Sequence, residues 1–243
     1  MGYTDDQLVV LTVADNQERK NLSAGMDIIA ETAKEIDVQW LLVTRIFSPV
    51  GWKIDDMALQ KGITDRIEKF ERGLPFDRLW TLYAIADAFL LPSKAEGLCM
   101  PIMEAMAAGT AVVATDCTAV PEHLYEDPVA RTGQRGFTMD AAFHHQDPWG
   151  NSVRTYVDYQ SGAEALKEVF RMKQSGELEE KILTPARAYA ESRTWAQCGE
   201  ILDEAVRSIF VKHEPPPSPA MPSGSLPATV PQIIPIAEED KDE

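Results

Sequence analysis

A chain of 243 residues, 44% of them hydrophobic, can bury one good core with appendages. Its formal net charge of −16 argues against a nucleic-acid or anionic-membrane binder. It leaves a nucleotide ligand open, because such a ligand answers to the local field of a helix N-terminus rather than to the whole molecule.

Three cysteines, Cys99, Cys117 and Cys198, are an odd number and lack the spacing of a zinc site or a disulfide framework. They read as reduced thiols of a cytoplasmic protein. No run is long and apolar enough for a transmembrane segment, and no signal peptide is expected ahead of the first strand.

Leu8–Val13 is a continuous run of Val, Leu and Thr, the composition of a strand buried on both faces. Ala-Asp-Asn-Gln-Glu-Arg-Lys-Asn follows. Leu22, Met26, Ile29, Ala33 and Ile36 then recur at helical spacing and give one apolar face. Arg19 and Lys20 at a helix start oppose the helix dipole, a mild cost that an anionic ligand would offset. Residues 38–47 form the next buried strand, residues 48–62 a polar excursion with a short helix, and residues 66–72 a short strand. Gly73-Leu74-Pro75 turns into a helix whose buried face carries Leu79, Leu82, Tyr83 and Ile85. This alternation predicts an α/β, Rossmann-like parallel sheet with helices on both faces.

Residues 87–122 are the most informative stretch. Ala88–Leu91 is a short buried strand that stops at Pro92. A small loop carries Glu96 and Gly97, Pro101 opens a helix with Glu104 in its first turns, and Gly109 ends it before a second strand at residues 111–114. A βαβ unit of this kind places its ligand crevice outside the carboxyl ends of the strands. The backbone N–H groups of Gly97, Leu98, Cys99 and Met100 precede or open a helix, where free donors favour phosphate. Glu96 and Glu104 would repel a phosphate, so they are expected to accept hydrogen bonds from hydroxyls. A phosphate flanked by hydroxyl-rich groups is a nucleotide sugar.

Pro92-Ser93, Glu96-Gly97, Pro101, Glu104-Ala105-Met106-Ala107-Ala108-Gly109 and Pro121-Glu122 together resemble the donor-site motif of GT-B glycosyltransferases. The pattern is most similar to the retaining family 4, group 1, with its two glutamates separated by seven residues. The resemblance implies that Glu96 contacts the sugar hydroxyls, that Glu104 binds the ribose, and that the backbone from Gly97 to Met100 cradles the diphosphate. Where the family has Phe-Gly, this chain has Leu98-Cys99. Near the first strand, Lys20 matches the family's lysine, with Asn21 in place of its glycine. The family's arginine position holds Asp15, and Arg19 is the neighbouring residue that could replace the charge. Lys20 and Glu96 are the expected catalytic residues; Arg19, Gly97, Leu98, Cys99, Met100 and Glu104 are the expected donor-binding residues. Neither a metal nor a cofactor is expected, the nucleotide sugar being the substrate.

After Glu122 the alternation fades. Residues 133–137 resemble the family's edge-strand turn, and residues 143–159 read as an irregular exposed loop. His144, His145 and Asp147 lie in it without the spacing of a metal site. Residues 161–172, 177–191 and 196–212 read as three closing helices, with Trp195 as a packing anchor. Residues 1–212 are thus expected to form the donor-binding domain of a GT-B enzyme, and the Pro-rich residues 213–243, ending in Glu-Glu-Asp-Lys-Asp-Glu, a disordered acidic tail. The resemblance covers only the C-terminal half of such an enzyme. A fragment of a longer protein (the preferred reading, because Leu8 starts the domain almost at residue one), one chain of a two-chain enzyme completed by an acceptor-binding partner, and a non-catalytic nucleotide-sugar-binding subunit all fit. Asp15 at the arginine position favours the last; Lys20, Glu96 and Glu104 favour the enzymes.

Overall fold

The structure is a computed structural model and describes residues 2–148 and 151–211. Its main sheet holds β1 (Leu8–Val13), β2 (Val38–Thr44), β3 (Ile67–Glu71), β4 (Ala88–Leu91), β5 (Ala111–Thr115) and β6 (Phe137–Met139). The spatial order is β3-β2-β1-β4-β5-β6, with every pairing parallel. This is the doubly wound order, and it reverses direction between β1 and β4.

The inner strands are apolar on both sides because both sides are covered. One face packs against α1 (Leu22–Thr32), α2 (Ile54–Gln60) and α6 (Tyr159–Ser175), burying Leu8, Trp40, Leu42, Met26 and Leu166. The other packs against α3 (Phe76–Ile85), α4 (Met100–Ala108), α5 (Val120–Leu124) and α7 (Thr184–Glu191), burying Leu11, Leu41, Phe89, Tyr83 and Ile102. Helices therefore leave β1 and β4 toward opposite faces, and the crevice between the two departing loops opens at the carboxyl edge of the sheet.

Two sequence expectations are corrected. The segment read as an irregular loop contains an antiparallel hairpin, β7 (Ala141–Asp147) and β8 (Ser152–Val157). Phe143 stacks on Tyr156 across it, with centroids 4.5 Å apart. Its outer strand is exposed, so neither an apolar face nor an alternation marked it. Trp195, expected to anchor two closing helices, is 78% exposed. The segment before α7 is a π-helical turn, Glu179–Leu183, that runs into it without a break.

The compact unit ends at Gln197. The second unit, among the described residues, is the remainder of α8 (Trp195–Val211), which carries an Arg207–Asp203 pair of 2.7 Å one turn apart. The expected tail, residues 213–243, lies outside the described residues.

A polar relay crosses the core beneath the crevice. Trp40 Nε1 donates to Thr12 Oγ1 at 3.0 Å, and that hydroxyl donates to the Leu90 carbonyl at 2.7 Å, joining β2, β1 and β4. Thr12 and Trp40 are fully buried, so neither can turn to water. Thr12→Val keeps the shape but orphans the indole N–H and is expected to cost about 1–3 kcal/mol. Urea unfolding measures this, with Thr12→Ser, which keeps the hydroxyl, restoring most of the loss; equal midpoints for wild type and Thr12→Val would refute the relay's contribution.

Candidate functional site

The site is built from the two loops that diverge at the switch point. After β1 the chain makes a single 3-10 turn, Glu18–Lys20, and Asn21 takes the left-handed conformation with φ 53° before α1 begins. Glycine or asparagine adopts that conformation most readily, which accounts for Asn21 where the family motif has glycine. Asn16, buried in the same loop, donates to Trp52 O at 2.9 Å and accepts from Trp52 N at 2.8 Å. A side chain at Gly51 would come within 2.6 Å of Asn16, so this latch requires glycine there.

The loop after β4 is fastened to the first by Lys94 N donating to Arg19 O at 2.8 Å. Side chains complete the junction. Lys20 Nζ donates to Glu96 Oε1 at 2.6 Å, and Arg19 to Glu96 Oε2 at 3.3 Å and to Ala95 O at 3.4 Å. The Glu96 side chain is only 5% exposed. Burial alone would raise its pKa, but the hydrogen bond from Lys20 and the charges of Lys20 and Arg19 outweigh that and hold it below the usual carboxylate value. The structure thus brings Lys20, Arg19 and Glu96 together as one ion cluster.

Gly97, Leu98 and Met100 are exposed, whereas Cys99 is buried and carries φ 50°. The left-handed conformation explains why the family motif places glycine at this position; a cysteine there costs about 1–2 kcal/mol. Among the described residues, the N–H groups of Gly97, Leu98, Cys99 and Met100 donate to nothing within the chain. Four consecutive unpaired donors meet the first turn of α4, whose Pro101 has no N–H to offer. Cys99 and Cys117 are kept as thiols, burial pushing their pKa values up to about 12 and about 11.

Glu104 sits one turn into α4, where the Tyr83 hydroxyl donates to its Oε2 at 2.8 Å. Tyr83 is fully buried, and burial together with the neighbouring carboxylate raises its pKa far above the ordinary phenol value. The phenol stays protonated and fixes one oxygen of Glu104, leaving the other to accept.

A cleft of about 330 Å³ beside these groups is lined by Val13, Asp15, Lys20, Arg72, Leu74 and Pro101. A larger hollow of about 430 Å³ lies at the opposite, amino edge of the sheet, against Tyr3, Val9, Asp87 and Lys173. Size is the weaker guide here. The carboxyl edge is where a doubly wound sheet exposes its crevice, and the unpaired amides are there.

Several residues that shape the site escape sequence reasoning. The Thr118 hydroxyl accepts from Glu96 N at 2.9 Å and donates to Glu96 O at 2.6 Å, with Thr118 itself at φ 45°. Lys94, 3% exposed, pairs with Glu18 and lies 4.2 Å from the Tyr156 ring centre, joining the hairpin to the loop. His123 Nε2 lies 2.8 Å from Leu98 O, and its Nδ1 is 3.1 Å from the Tyr189 hydroxyl. A carbonyl can only accept, so Nε2 carries the proton. A histidine directly after Pro121-Glu122 was the available sign for this contact; a left-handed threonine has none. His144 and His145, adjacent on β7, point to opposite faces: His144 meets Thr155 at 3.3 Å, and the His145 ring meets Tyr156 edge-on.

Burial lowers the His123 pKa below its ordinary 6.5, favouring neutral imidazole in the folded protein. The stability this gives is complete above pH 6.5 and is lost as pH falls through the folded-state value. Thermal unfolding from alkaline to mildly acidic pH is expected to show that loss in the wild type. In His123→Gln, which keeps a donor for Leu98 O, the slope just below pH 6.5 is expected to flatten; identical slopes would count against His123 as the titrating group.

A family model described as "Glycosyl transferases group 1" matches residues 3–134. The MMP alpha-(1->4)-mannosyltransferase of Mycolicibacterium hassiacum is 32% identical over 126 residues, which is 52% of this chain and 30% of that protein. Sucrose-phosphate synthase from Thermosynechococcus elongatus shares the fold with a TM-score of 0.67 and 18% identity, over 86% of this chain and 47% of that one. The C-terminal domain of a glycosyl transferase group 1 family protein from Francisella tularensis superposes with a TM-score of 0.58 at 17% identity, over 76% of this chain and 85% of that domain. The chain spans under a third of the mannosyltransferase and about half of the synthase. The match from Tyr3 to Gln134 takes in β1 through β5 and both loops of the site, and on it this chain belongs to the group 1 glycosyl transferases.

Proposed function

We propose that this chain is the donor-binding half of a retaining glycosyltransferase, moving a hexosyl group from a nucleotide sugar to an acceptor hydroxyl. The acceptor-binding half lies in a further domain or subunit. The observation that carries the reading is the run of four unpaired amides from Gly97 to Met100, set at the α4 N-terminus beside Lys20 and Arg19. Phosphate is the anion such an arrangement fits.

Each residue then has a role. The amides hold the diphosphate. Lys20, with Arg19 behind it, offsets the charge that gathers on the leaving diphosphate as the glycosidic bond breaks, which is electrostatic preorganisation. Glu104, fixed by Tyr83, accepts from the ribose hydroxyls. Glu96 accepts from the sugar and is kept ionised by its cations. The matched relative transfers mannose, so mannose-bearing donors are the first to try. A non-catalytic nucleotide-sugar-binding subunit is the second reading, favoured by Asp15, whose carboxylate stands where the family's arginine would.

Calorimetric titration of the chain with UDP, GDP and ADP tests both. One nucleotide is expected to bind with a micromolar to millimolar Kd. Glu104→Ala and Lys20→Ala are each expected to weaken it roughly tenfold or more, one charge-assisted bond being worth about 1.5–3 kcal/mol. Binding of none would refute the proposed site. Glycosyl transfer on adding the acceptor half would separate enzyme from binding subunit.

A further inference from the structure

The acid that departs from the family motif is not alone. Asp15 Oδ1 lies 3.5 Å from Arg45 Nε, and Asp15 Oδ2 lies 3.5 Å from Arg72 NH1. Arg45 directly follows β2 and Arg72 directly follows β3. Three neighbouring parallel strands thus deliver one carboxylate and two guanidiniums to the same carboxyl edge.

Charge and geometry both point away from a simple surface staple. Two guanidiniums sharing one carboxylate leave one net positive charge, the amount a single arginine at position 15 would bring. Both contacts are long for a charge-assisted bond, and Asp15 also accepts from Asn16 N at 3.1 Å and Gln17 Nε2 at 3.2 Å. Among the described residues, neither guanidinium has another partner. Each arginine carries five donors, so most remain available to a second anion. Arg72 and Asp15 line the same cleft as Lys20 and Pro101, the residue that opens α4.

We propose that Arg45 and Arg72, tethered by Asp15, form a second cationic arm of the site that binds the diphosphate of the nucleotide together with Lys20. The charge expected at the end of β1 is supplied from the ends of β2 and β3, with Asp15 as the tether. The inference rests on the proposed function: it names further residues for the same ligand. It also gives Asp15 an effect opposite in sign to its two partners, because its carboxylate repels the diphosphate that they attract.

The test is calorimetry with the nucleoside diphosphate that the wild-type chain binds best and with the matching uncharged nucleoside, at low and high salt. Arg72→Gln and Arg45→Gln are each expected to weaken diphosphate binding roughly three- to tenfold at low salt, less at high salt. Arg72→Lys is expected to restore part of the loss by keeping the charge. Asp15→Asn is expected to tighten the diphosphate severalfold, and no variant to change nucleoside binding. Weakening by Asp15→Asn and Arg72→Gln alike, for nucleoside as for diphosphate, would mean a structural staple and overturn the inference. Variants that match a binding wild type would overturn this inference alone; a wild type that binds no nucleotide would overturn the proposed function as well.

Discussion

The loops at the carboxyl edge of the sheet depend on one buried carboxylate. Glu96 belongs to the loop that leaves β4 for one face of the sheet, and Lys20 and Arg19 to the loop that leaves β1 for the other. A doubly wound sheet holds its strands together by their ladders, but no ladder joins the loops that diverge at the switch point. The Glu96 cluster does so, helped by the Lys94–Arg19 backbone bond. A buried carboxylate without its cation costs about 3–5 kcal/mol, so loop geometry and charge pairing stand or fall together.

That pairing also sets the character of the site. Lys20 is 8% exposed and already bonded to Glu96. On the proposed reading an incoming diphosphate must share this ammonium, while the amides from Gly97 to Met100 meet it without giving up any bond. Backbone donors would then supply most of the fixed recognition, and Lys20 would link the phosphate to the group that faces the sugar. The Tyr83–Glu104 bond plays the same part at the other end, fixing a carboxylate by one oxygen so that its second is presented in one orientation.

Much of this was legible in the sequence because buried parallel strands leave a plain trace. Leu8–Val13, Ala88–Leu91 and the run from residue 111 are continuous apolar segments bounded by Pro, Gly or polar clusters, and they became β1, β4 and β5. Lys20 and Glu96 were legible as separate candidates, but nothing in their spacing says that they pair across 76 residues. The hairpin at residues 141–157 was missed for a physical reason: β7 is exposed along most of its length, so His-His-Gln-Asp carries no period. Trp195 misled in the opposite direction, since a large aromatic between two helical segments usually packs. Asp15 was legible only as a departure. Its meaning required knowing that Arg45 and Arg72 end adjacent strands.

The strained backbone around Glu96 shows what local structure is given up for that arrangement. Cys99 and Thr118 are both left-handed without being glycine, each at a cost of about 1–2 kcal/mol. Neither conformation serves the sheet, which ends at Leu91 and Thr115. Both serve the loop. From that turn Thr118 grips both backbone groups of Glu96 with one hydroxyl. Cys99 turns the chain into α4 while its side chain is buried, and His123 holds the carbonyl of the residue before it. Side-chain bonds from α5 and its approach thus fix the loop's outer groups. Among the described residues, the amides from Gly97 to Met100 are left as a run of four consecutive backbone donors with no partner in the chain.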